Sequence, residues 1–415
     1  LNGNINSNNS TAKFVIDAPL IKYKKIQLEN LHFEFDTKNP SQNSYLSVTN
    51  FSNKFFNGNN LNLTSVKEND TLFFRSEFQG ANFSKSLFNV DFYHTNNKNG
   101  ASYFGIKKST IPIGTKSWTI NPKDLVNQKI SFSQNFEEVF LNSLTAFSEN
   151  QSLSVSGSYL NPSVFDLKLD LKNVLIENIL PIIPTFKIAG KIDLKANIVR
   201  STLKNKLDIE SNIESLNINN HYLGDLNFTS TGNTKLNTYV ANLNLLKDSS
   251  RNIELKGLWQ GLEDPTLNFN LDFNDFDISF LTPLGKKSLN DIRGKVGGSV
   301  TLLGSLSNIK HNGNLNLVNG GFSVPFLNLK YDIEPTNVTL EDKSFIFKST
   351  NLVDSEEGTT ALVNGNFSHT NFSNWLASLT INSNRMLLLN TIQKPESLFF
   401  GQGYLDGSVI LYGPT

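Results

Sequence analysis

The feature that most constrains this chain is a strict alternation of apolar and polar residues near its middle. Within Ile253–Leu303, the side chains of Leu267, Phe269, Leu271 and Phe273 alternate with those of asparagine and aspartate. A period of two predicts a β-strand with one dry face and one wet face. Burial of each such side chain contributes about 1.5–3 kcal/mol, so many such strands create an apolar surface that another layer, a neighbouring chain or lipid must cover.

Composition extends this strand pattern to the whole chain. The 415 residues include 32 Phe and 26 Gly but one Met, and Asn, Ser, Thr and Lys dominate the polar positions, as expected for exposed strand faces and turns. At one strand per roughly ten to thirteen residues, we expect about thirty to forty strands, and an open sheet of that width bends, coils or closes. We therefore predict an all-β fold: a long, curled, mostly antiparallel sheet forming an elongated open trough, a β-taco or repeating β-groove, with a few short helices.

Charge and cysteine content exclude several classes of protein. The formal net charge is zero, with 37 basic and 37 acidic residues, and no long basic run follows a phosphate backbone, so nucleic acid is not expected as a partner. Cysteine is absent, which excludes disulfides and thiolate metal sites and favours, weakly, an envelope protein of a Gram-negative cell.

No apolar run approaches the roughly 18 residues of a membrane span. A start at Leu1 and a stop at Thr415, after a strand-like segment, suggest a piece of a longer polypeptide.

The sequence repeats itself from residue 151 onward. Three segments share one plan of strand, glycine, short polar turn and strand: Leu153–Leu171, Ile253–Phe273 and Ala361–Ile381. Their glycines, Gly157, Gly257 and Gly365, lie 100 and 108 residues apart. A second set of landmarks, Gly190, Gly294 and Gly403, keeps step at 104 and 109 residues. We predict an irregular β-groove segment over 1–150, β-groove repeats over 151–252 and 253–360, and a partial repeat over 361–415, and we interpret the glycines as turn or bulge positions.

One segment favours a helix over a strand. In Phe136–Phe147, the apolar residues fall near one helical face and two glutamates stand in the first turn. We predict a short helix over 136–147 that packs as an ordinary surface element, with a cap on an apolar groove as the alternative.

Chemistry-bearing motifs are absent from the sequence. The five histidines have no metal-ligand spacing, so each is interpreted as a surface side chain. The acidic cluster that begins at Asp272 resembles a calcium loop, but Asp277 and Pro283 occupy the positions where that loop needs glycine and glutamate. There is no nucleophile elbow, zinc-protease motif or phosphate-binding loop. We predict no catalytic or metal-binding residue, no cofactor and no enzymatic activity.

The C-terminal third of the chain resembles a known family. The segments Asn319–Tyr331, Phe345–Asp354 and Leu398–Gly413 are similar to the conserved C-terminal domain of the TamB family, the translocation and assembly module subunits related to AsmA-like proteins. Upstream, Phe78–Thr95 and Ser117–Pro122 look like the Bacteroidota branch. The resemblance covers most of the chain, is strongest from about Ile292, and places the start of that domain near residue 290.

The resemblance implies a β-taco in the periplasm that bridges inner and outer membranes. Such a protein would carry phospholipid along an apolar groove and support outer-membrane biogenesis. Its implied partners are phospholipid, an outer-membrane TamA-like or TamL-like β-barrel, and the inner membrane through an N-terminal anchor that this piece lacks. The motifs are structural, so no catalytic residue is carried over.

The residues and the resemblance together give a lipid conduit as the first hypothesis, with acyl chains covering the apolar face. The candidate lining residues are Phe165, Leu167, Leu169, Leu171, Ile192, Leu194, Ile198, Leu207, Ile209, Ile213, Leu226, Phe228, Leu267, Phe269, Leu271, Phe273, Leu315, Leu317, Leu329, Tyr331, Ile333, Phe345, Phe347, Leu379, Ile381, Val409 and Leu411. The second hypothesis is a non-enzymatic scaffold whose strand edges template outer-membrane barrel strands during assembly or secretion. The third is a closed solenoid or a membrane barrel, which the repeat length of about 100 residues disfavours because barrel segments recur at about ten.

Overall fold

The chain is all-β, and its strands belong to one antiparallel sheet of 28 strands. The computed structural model describes residues 1–38, 43–52, 57–80, 86–96, 102–114, 116–133, 137–179, 186–261, 264–285, 288–392 and 400–414. The strand count lies below the thirty to forty that we predict, because many strands are long, up to the 19 residues of Ser373–Thr391. The chain divides into two compact units, residues 1–180 with 192–205 and residues 181–191 with 206–415.

The described residues of the first unit form fourteen complete strands, one helical turn and most of a fifteenth strand. The strands are β1 (Asn2–Asn6), β2 (Thr11–Tyr23), β3 (Ile26–Asp36), β4 (Ser44–Ser52), β5 (Asn57–Glu68), β6 (Thr71–Gly80), β7 (Leu87–Asn96), β8 (Ser102–Ile106), β9 (Ser109–Ile113), β10 (Lys116–Ile120), β11 (Lys129–Phe132), β12 (Val139–Ser148), β13 (Gln151–Asn161), β14 (Val164–Leu175) and β15 (Ile188–Arg200), and the helical turn is α1 (Ile176–Ile179).

In the second unit, the residues that the structure describes form the remaining thirteen strands and two 3-10 helices. The strands are β16 (Asn205–Ile218), β17 (His221–Asn233), β18 (Thr238–Lys247), β19 (Ser250–Gln260), β20 (Thr266–Asp277), β21 (Asn290–Ser305), β22 (Asn308–Val324), β23 (Leu329–Ile333), β24 (Thr336–Glu341), β25 (Ser344–Asp354), β26 (Thr360–Thr370), β27 (Ser373–Thr391) and β28 (Gly401–Pro414), and the 3-10 helices are Ser279–Gly285 and Pro325–Leu327.

Pairing is mostly between neighbours along the chain, as in a meander. From β16 to β22 each strand pairs antiparallel with the next. Strand β22 then pairs with both β23 and β24, which in turn both pair with β25. In the first unit, β7 pairs with both β8 and β9, and β12 likewise receives both β10 and β11. Short connections explain this order, since a tight turn places consecutive strands side by side.

The predicted alternation of apolar and polar residues is confirmed in β20. Leu267, Phe269, Leu271 and Phe273 are half-buried, whereas the residues between them are exposed. On the exposed face, Thr301 donates a hydrogen bond of 3.0 Å to the side-chain oxygen of Asn270. This strand therefore has the predicted dry and wet faces.

The predicted helix over 136–147 is wrong, because Val139–Ser148 forms β12; Phe136 lies outside the described residues. A β-bulge explains the misleading spacing. Leu141 pairs with Gly157 and Leu144 with Val155, so three residues of β12 advance against two of β13. The extra residue puts Phe140 and Phe147 on one face although they are seven residues apart, which imitates the spacing of two helical turns.

Left-handed residues recur along the strands of both units, and Ser215 of β16 and Ser349 of β25 lie in bulges. In β16, Glu214 and Ser215 together oppose Asp225 of β17, and Ser215 has a φ of 53°. A left-handed conformation is costly for a residue other than glycine, so it needs local support. Neighbouring strands supply acceptors for the N–H groups of three left-handed residues: Asn173 donates to Asp193 (2.6 Å), Ser215 to Asp225 (2.8 Å) and Ser349 to Asn364 (2.8 Å). Because bulges bend a strand, these bonds help to shape the sheet.

Buried apolar residues form several clusters and not one central core. In the first unit, one cluster contains Trp118 and Val174, which are completely buried, and Ala146 and Leu171, which are nearly so. The second unit has three clusters, built around Leu245, around Val338 and around Met386. The predicted repeat boundaries lie inside the units, at residue 151 of the first unit and at residues 253 and 361 of the second. These boundaries stay a prediction.

Candidate functional site: a continuous apolar face

A row of apolar residues runs across twelve strands of the second unit. Each member faces the next in direct register on the neighbouring strand, so all lie on the same face of the sheet. This central row consists of Ile213, Leu226, Leu245, Ile253, Phe273, Gly298, Leu315, Val338, Phe347, Gly365, Leu379 and Leu411. At the usual spacing of about 4.8 Å between strands, the row extends roughly 50 Å.

A second row lies beside the central row, two residues away along each strand. Its members are Ser211, Phe228, Leu243, Leu255, Leu271, Val300, Gly313, Leu340, Phe345, Phe367, Ala377 and Gly413. Neither row contains a charged residue. The two rows therefore form an apolar band without an ionic barrier.

The landmark glycines of the repeats lie inside strands and not in turns, and Gly294 lies at a register shift between β21 and β22, as predicted for a bulge position. Gly257 pairs with Phe269, and a Cβ atom added at Gly257 would lie 2.5 Å from the Phe269 ring. Gly157 likewise faces Leu167, and Gly365 faces Leu379. The missing side chain lets the facing apolar side chain lie over the backbone, so the glycines keep the face apolar without thickening it.

The first unit carries an equivalent face on β12, β13 and β14. Phe165, Leu167, Leu169 and Leu171 pair in register with Tyr159, Gly157, Val155 and Leu153. Exposure falls along β14, from 42% at Leu167 to 7% at Leu171. Ile192 and Leu194 pack against the Leu171 cluster.

Most of the candidate lining residues are half-buried, as expected for an apolar face that its own chain covers only in part. The half-buried residues are Phe165, Leu169, Ile192, Leu194, Ile198, Ile209, Ile213, Leu226, Phe228, Leu267, Phe269, Leu271, Phe273, Leu315, Ile333, Phe345, Phe347, Leu379, Ile381 and Val409. Leu167 and Leu411 are exposed, and Leu171, Leu207, Leu317, Leu329 and Tyr331 are buried.

Leu329 and Tyr331 lie in a filled cluster and not along an accessible face. They pack with Met386 and Leu387, which are both completely buried. The Tyr331 hydroxyl donates a hydrogen bond of 2.9 Å to the Leu387 carbonyl oxygen, and burial, aided by the charge of Asp354, raises the pKa of Tyr331 to about 12. This part of the face is sealed by the chain's own side chains.

Sequence reasoning missed several members of the rows. Leu245, Ile253 and Val338 lie in the central row but were not among the candidates. Alternation in Thr238–Leu245 and Thr336–Leu340 carries the signal that identifies such positions. The register between strands was not readable, because it depends on the position of each bulge.

Two histidines are buried together near the edge of the band, contrary to their interpretation as surface side chains. The Nε2 atoms of His311 and His369 lie 2.8 Å apart, with exposures of 1% and 5%. Phe372 donates its backbone N–H to His369 Nδ1 at 2.9 Å, which makes His369 Nε2 the donor to His311. Burial lowers the pKa of both histidines. The pair is thus neutral near neutral pH.

Neither a metal cluster nor a membrane-spanning helix is found in the described part of the chain. Within the described ranges, no three histidine or acidic side chains come together as metal ligands. Among the same residues, no helix has the length and apolar character needed to cross a bilayer. In comparisons with known proteins, no family model, no curated protein and no solved structure matches this chain.

Proposed function

We propose that this chain belongs to a TamB-type protein of the Gram-negative periplasm and carries phospholipid between the inner and outer membranes along its apolar band. The observation that supports this proposal is the pair of uncharged rows that continue across twelve strands. An acyl chain needs a path of this kind, because a charged group on it would impose a large desolvation cost.

Half-burial of most row members supports lipid as the cover, whereas Leu245, Val338, Val300 and Leu340 are buried by neighbouring side chains. A completely filled interior leaves no apolar surface for a ligand, as in the cluster around Met386. In contrast, Phe269 and Leu271 are half-buried, so each retains apolar surface that a ligand can remove from water. Covering such residues with an acyl chain is favourable at roughly 25 cal/mol per Å² of apolar surface.

Transfer along such a band needs no catalytic group, so the proposed activity is non-enzymatic and needs no cofactor. The proposed partners follow from the family resemblance: a TamA-like or TamL-like barrel in the outer membrane, and the inner membrane at the other end. The resulting role is support of outer-membrane biogenesis.

Lipid extraction combined with site-specific crosslinking tests this function. A photoreactive phenylalanine derivative replaces Leu271 on the band, and in a matched variant it replaces Asn270, which is exposed on the opposite face of the same strand. We expect phospholipid in the extract of the purified chain and lipid adducts at position 271 but not at 270.

Two outcomes would count against the conduit. Equal adducts at both positions would indicate non-specific contact with lipid. An extract free of phospholipid, together with adducts to outer-membrane barrel proteins, would favour the alternative function, a non-enzymatic scaffold for barrel assembly and secretion.

A further inference from the structure

A polar cleft of about 290 Å³ adjoins the apolar band in the second unit. Its charged lining comprises Lys247, Lys295, Asp248, Asp275 and Asp277. The volume lies just below the range for small-molecule sites, about 300–1,000 Å³. It suits a small polar group and not a whole lipid.

The backbone creates this cleft at the ends of three hairpin strands. Asn274 and Asp275 form a bulge in β20, where both oppose one residue of β21. Asp248 and Ser249 turn the chain from β18 to β19 with positive φ angles of 51° and 64°. The bulge and the turn bring charged side chains from β18, β20 and β21 around one space.

Apolar residues join the cleft directly to the band. Phe276 and Leu223 line the cleft and also belong to the cluster that packs with Ile253 and Phe273 of the central row. The rings of Phe273 and Phe276 lie 5.9 Å apart. A molecule with a polar head in the cleft therefore has its tail beside Ile253 and Phe273 of the central row.

The charges in the cleft are partly paired. Lys295 Nζ lies 2.5 Å from Asp275 Oδ2, whereas Lys247 and Asp248 have no ion-pair partner within the described ranges. Burial acts to raise the pKa of Asp277, but hydrogen bonds from Ser279 and the charges of Lys247 and His221 outweigh it and leave this pKa below its ordinary value. Asp277 is therefore an anion at neutral pH. Lys247, whose Nζ atom lies 5.8 Å from the centre of the Tyr222 ring, interacts with this charge but forms no close ion pair among the described residues.

We infer that this cleft binds the head group of a zwitterionic phospholipid with a primary ammonium, such as phosphatidylethanolamine, an inference that rests on the proposed lipid conduit. Lys247 faces the phosphate, and Asp248 and Asp277 face the ammonium. Three acidic and two basic side chains line the cleft, so it disfavours a head group with net negative charge. The neighbouring Phe276 and the central row take the acyl chains.

Calorimetric titration of the full chain with water-soluble probes tests the site. The probes are dihexanoyl-phosphatidylethanolamine, dihexanoyl-phosphatidylglycerol, dihexanoylglycerol, which has no head group, and phosphoethanolamine, which has no tail. We expect the ethanolamine lipid to bind about tenfold more tightly than each of the others, because charge-assisted hydrogen bonds and apolar contact act together.

Variants separate the head-group site from the band. Lys247→Gln weakens binding of the ethanolamine lipid about tenfold and leaves dihexanoylglycerol binding unchanged. Lys256→Gln is the matched control, because Lys256 is an exposed lysine of β19 that pairs with Glu254 at 2.7 Å outside the cleft. We expect binding in this control to stay at the wild-type value.

Each other outcome overturns the inference in a distinguishable way. If all three acylated probes bind equally and Lys247→Gln has no effect, the head-group site is absent while the conduit stands. Tight binding of phosphoethanolamine alone would identify a site for a free phosphate compound and not for a lipid. If no acylated probe binds, the proposed function fails together with the site.

Discussion

A single charge in the apolar band provides the most direct test of the conduit. Leu271 is half-buried in the second row, between Leu255 of β19 and Val300 of β21, of which Val300 is 5% exposed. The substitution Leu271→Asp places a carboxylate at this position. An acyl chain that passes this position displaces water from the carboxylate, and the loss of hydration costs free energy.

The expected magnitude follows from the cost of a charge in an acyl environment. An acidic side chain at the centre of a bilayer costs about 2.5–3.5 kcal/mol. Because each 1.36 kcal/mol changes a rate tenfold, we expect Leu271→Asp to slow lipid transfer by roughly 100-fold. The loss of apolar burial is about half of the 1.5–3 kcal/mol for a fully buried leucine, so the chain should stay folded.

The assay is transfer of a fluorescent phospholipid between donor and acceptor vesicles, with phospholipid that co-purifies with the protein measured in parallel. Asn270→Asp is the matched control, since it adds the same charge one residue away on the exposed face, where an oxygen atom can still accept the hydrogen bond from Thr301. Circular dichroism and thermal denaturation verify the fold of both variants. Wild-type transfer and lipid content in a folded Leu271→Asp variant would refute the reasoning.

Three further predictions concern stability. Asp225→Ala removes the acceptor of the Ser215 N–H and should lower the free energy of unfolding by about 1–2 kcal/mol, measured by urea denaturation. Met386→Ala should cost about 2–5 kcal/mol by the same measurement, because the side chain is completely buried. Burial lowers the pKa of His311 and His369, so the unfolded chain binds protons more readily than the folded chain does. The contribution of the neutral histidine pair to the free energy of unfolding should therefore be complete above about pH 6.5 and be lost as the pH falls below that value.

Matched variants make these three predictions specific. Asp225→Asn keeps an acceptor oxygen, so it should retain most of the stability that Asp225→Ala loses. Leu376 is 44% exposed, so Leu376→Ala should lower the free energy of unfolding by less than about 1 kcal/mol. If Met386→Ala lowered the free energy of unfolding by no more than Leu376→Ala does, the cluster around Met386 would not be filled. The double variant His311→Phe with His369→Phe should lose stability less steeply on acidification, and an unchanged slope would exclude the pair as its source.

The strand pattern was readable because it depends on neighbours along the chain. Leu267, Phe269, Leu271 and Phe273 needed no knowledge of the rest of the fold to be assigned to one face. The same reasoning failed at Phe140 and Phe147, where a bulge between them imitates the spacing of a helix. A bulge is selected by the partner strand's hydrogen bonds, which are not visible in a local window.

The sequence alone determined that this chain is a sheet with apolar and polar faces, because side-chain alternation is a local property of extended backbone. Only the tertiary structure decided the register that aligns the central row, the sealing of Tyr331 beside Leu387 and the pairing of His311 with His369. These features join residues that lie tens of positions apart, as His311 and His369 do at a separation of 58 residues. Contacts of that kind depend on the summed offsets of every bulge and turn between them, and no single segment encodes that sum.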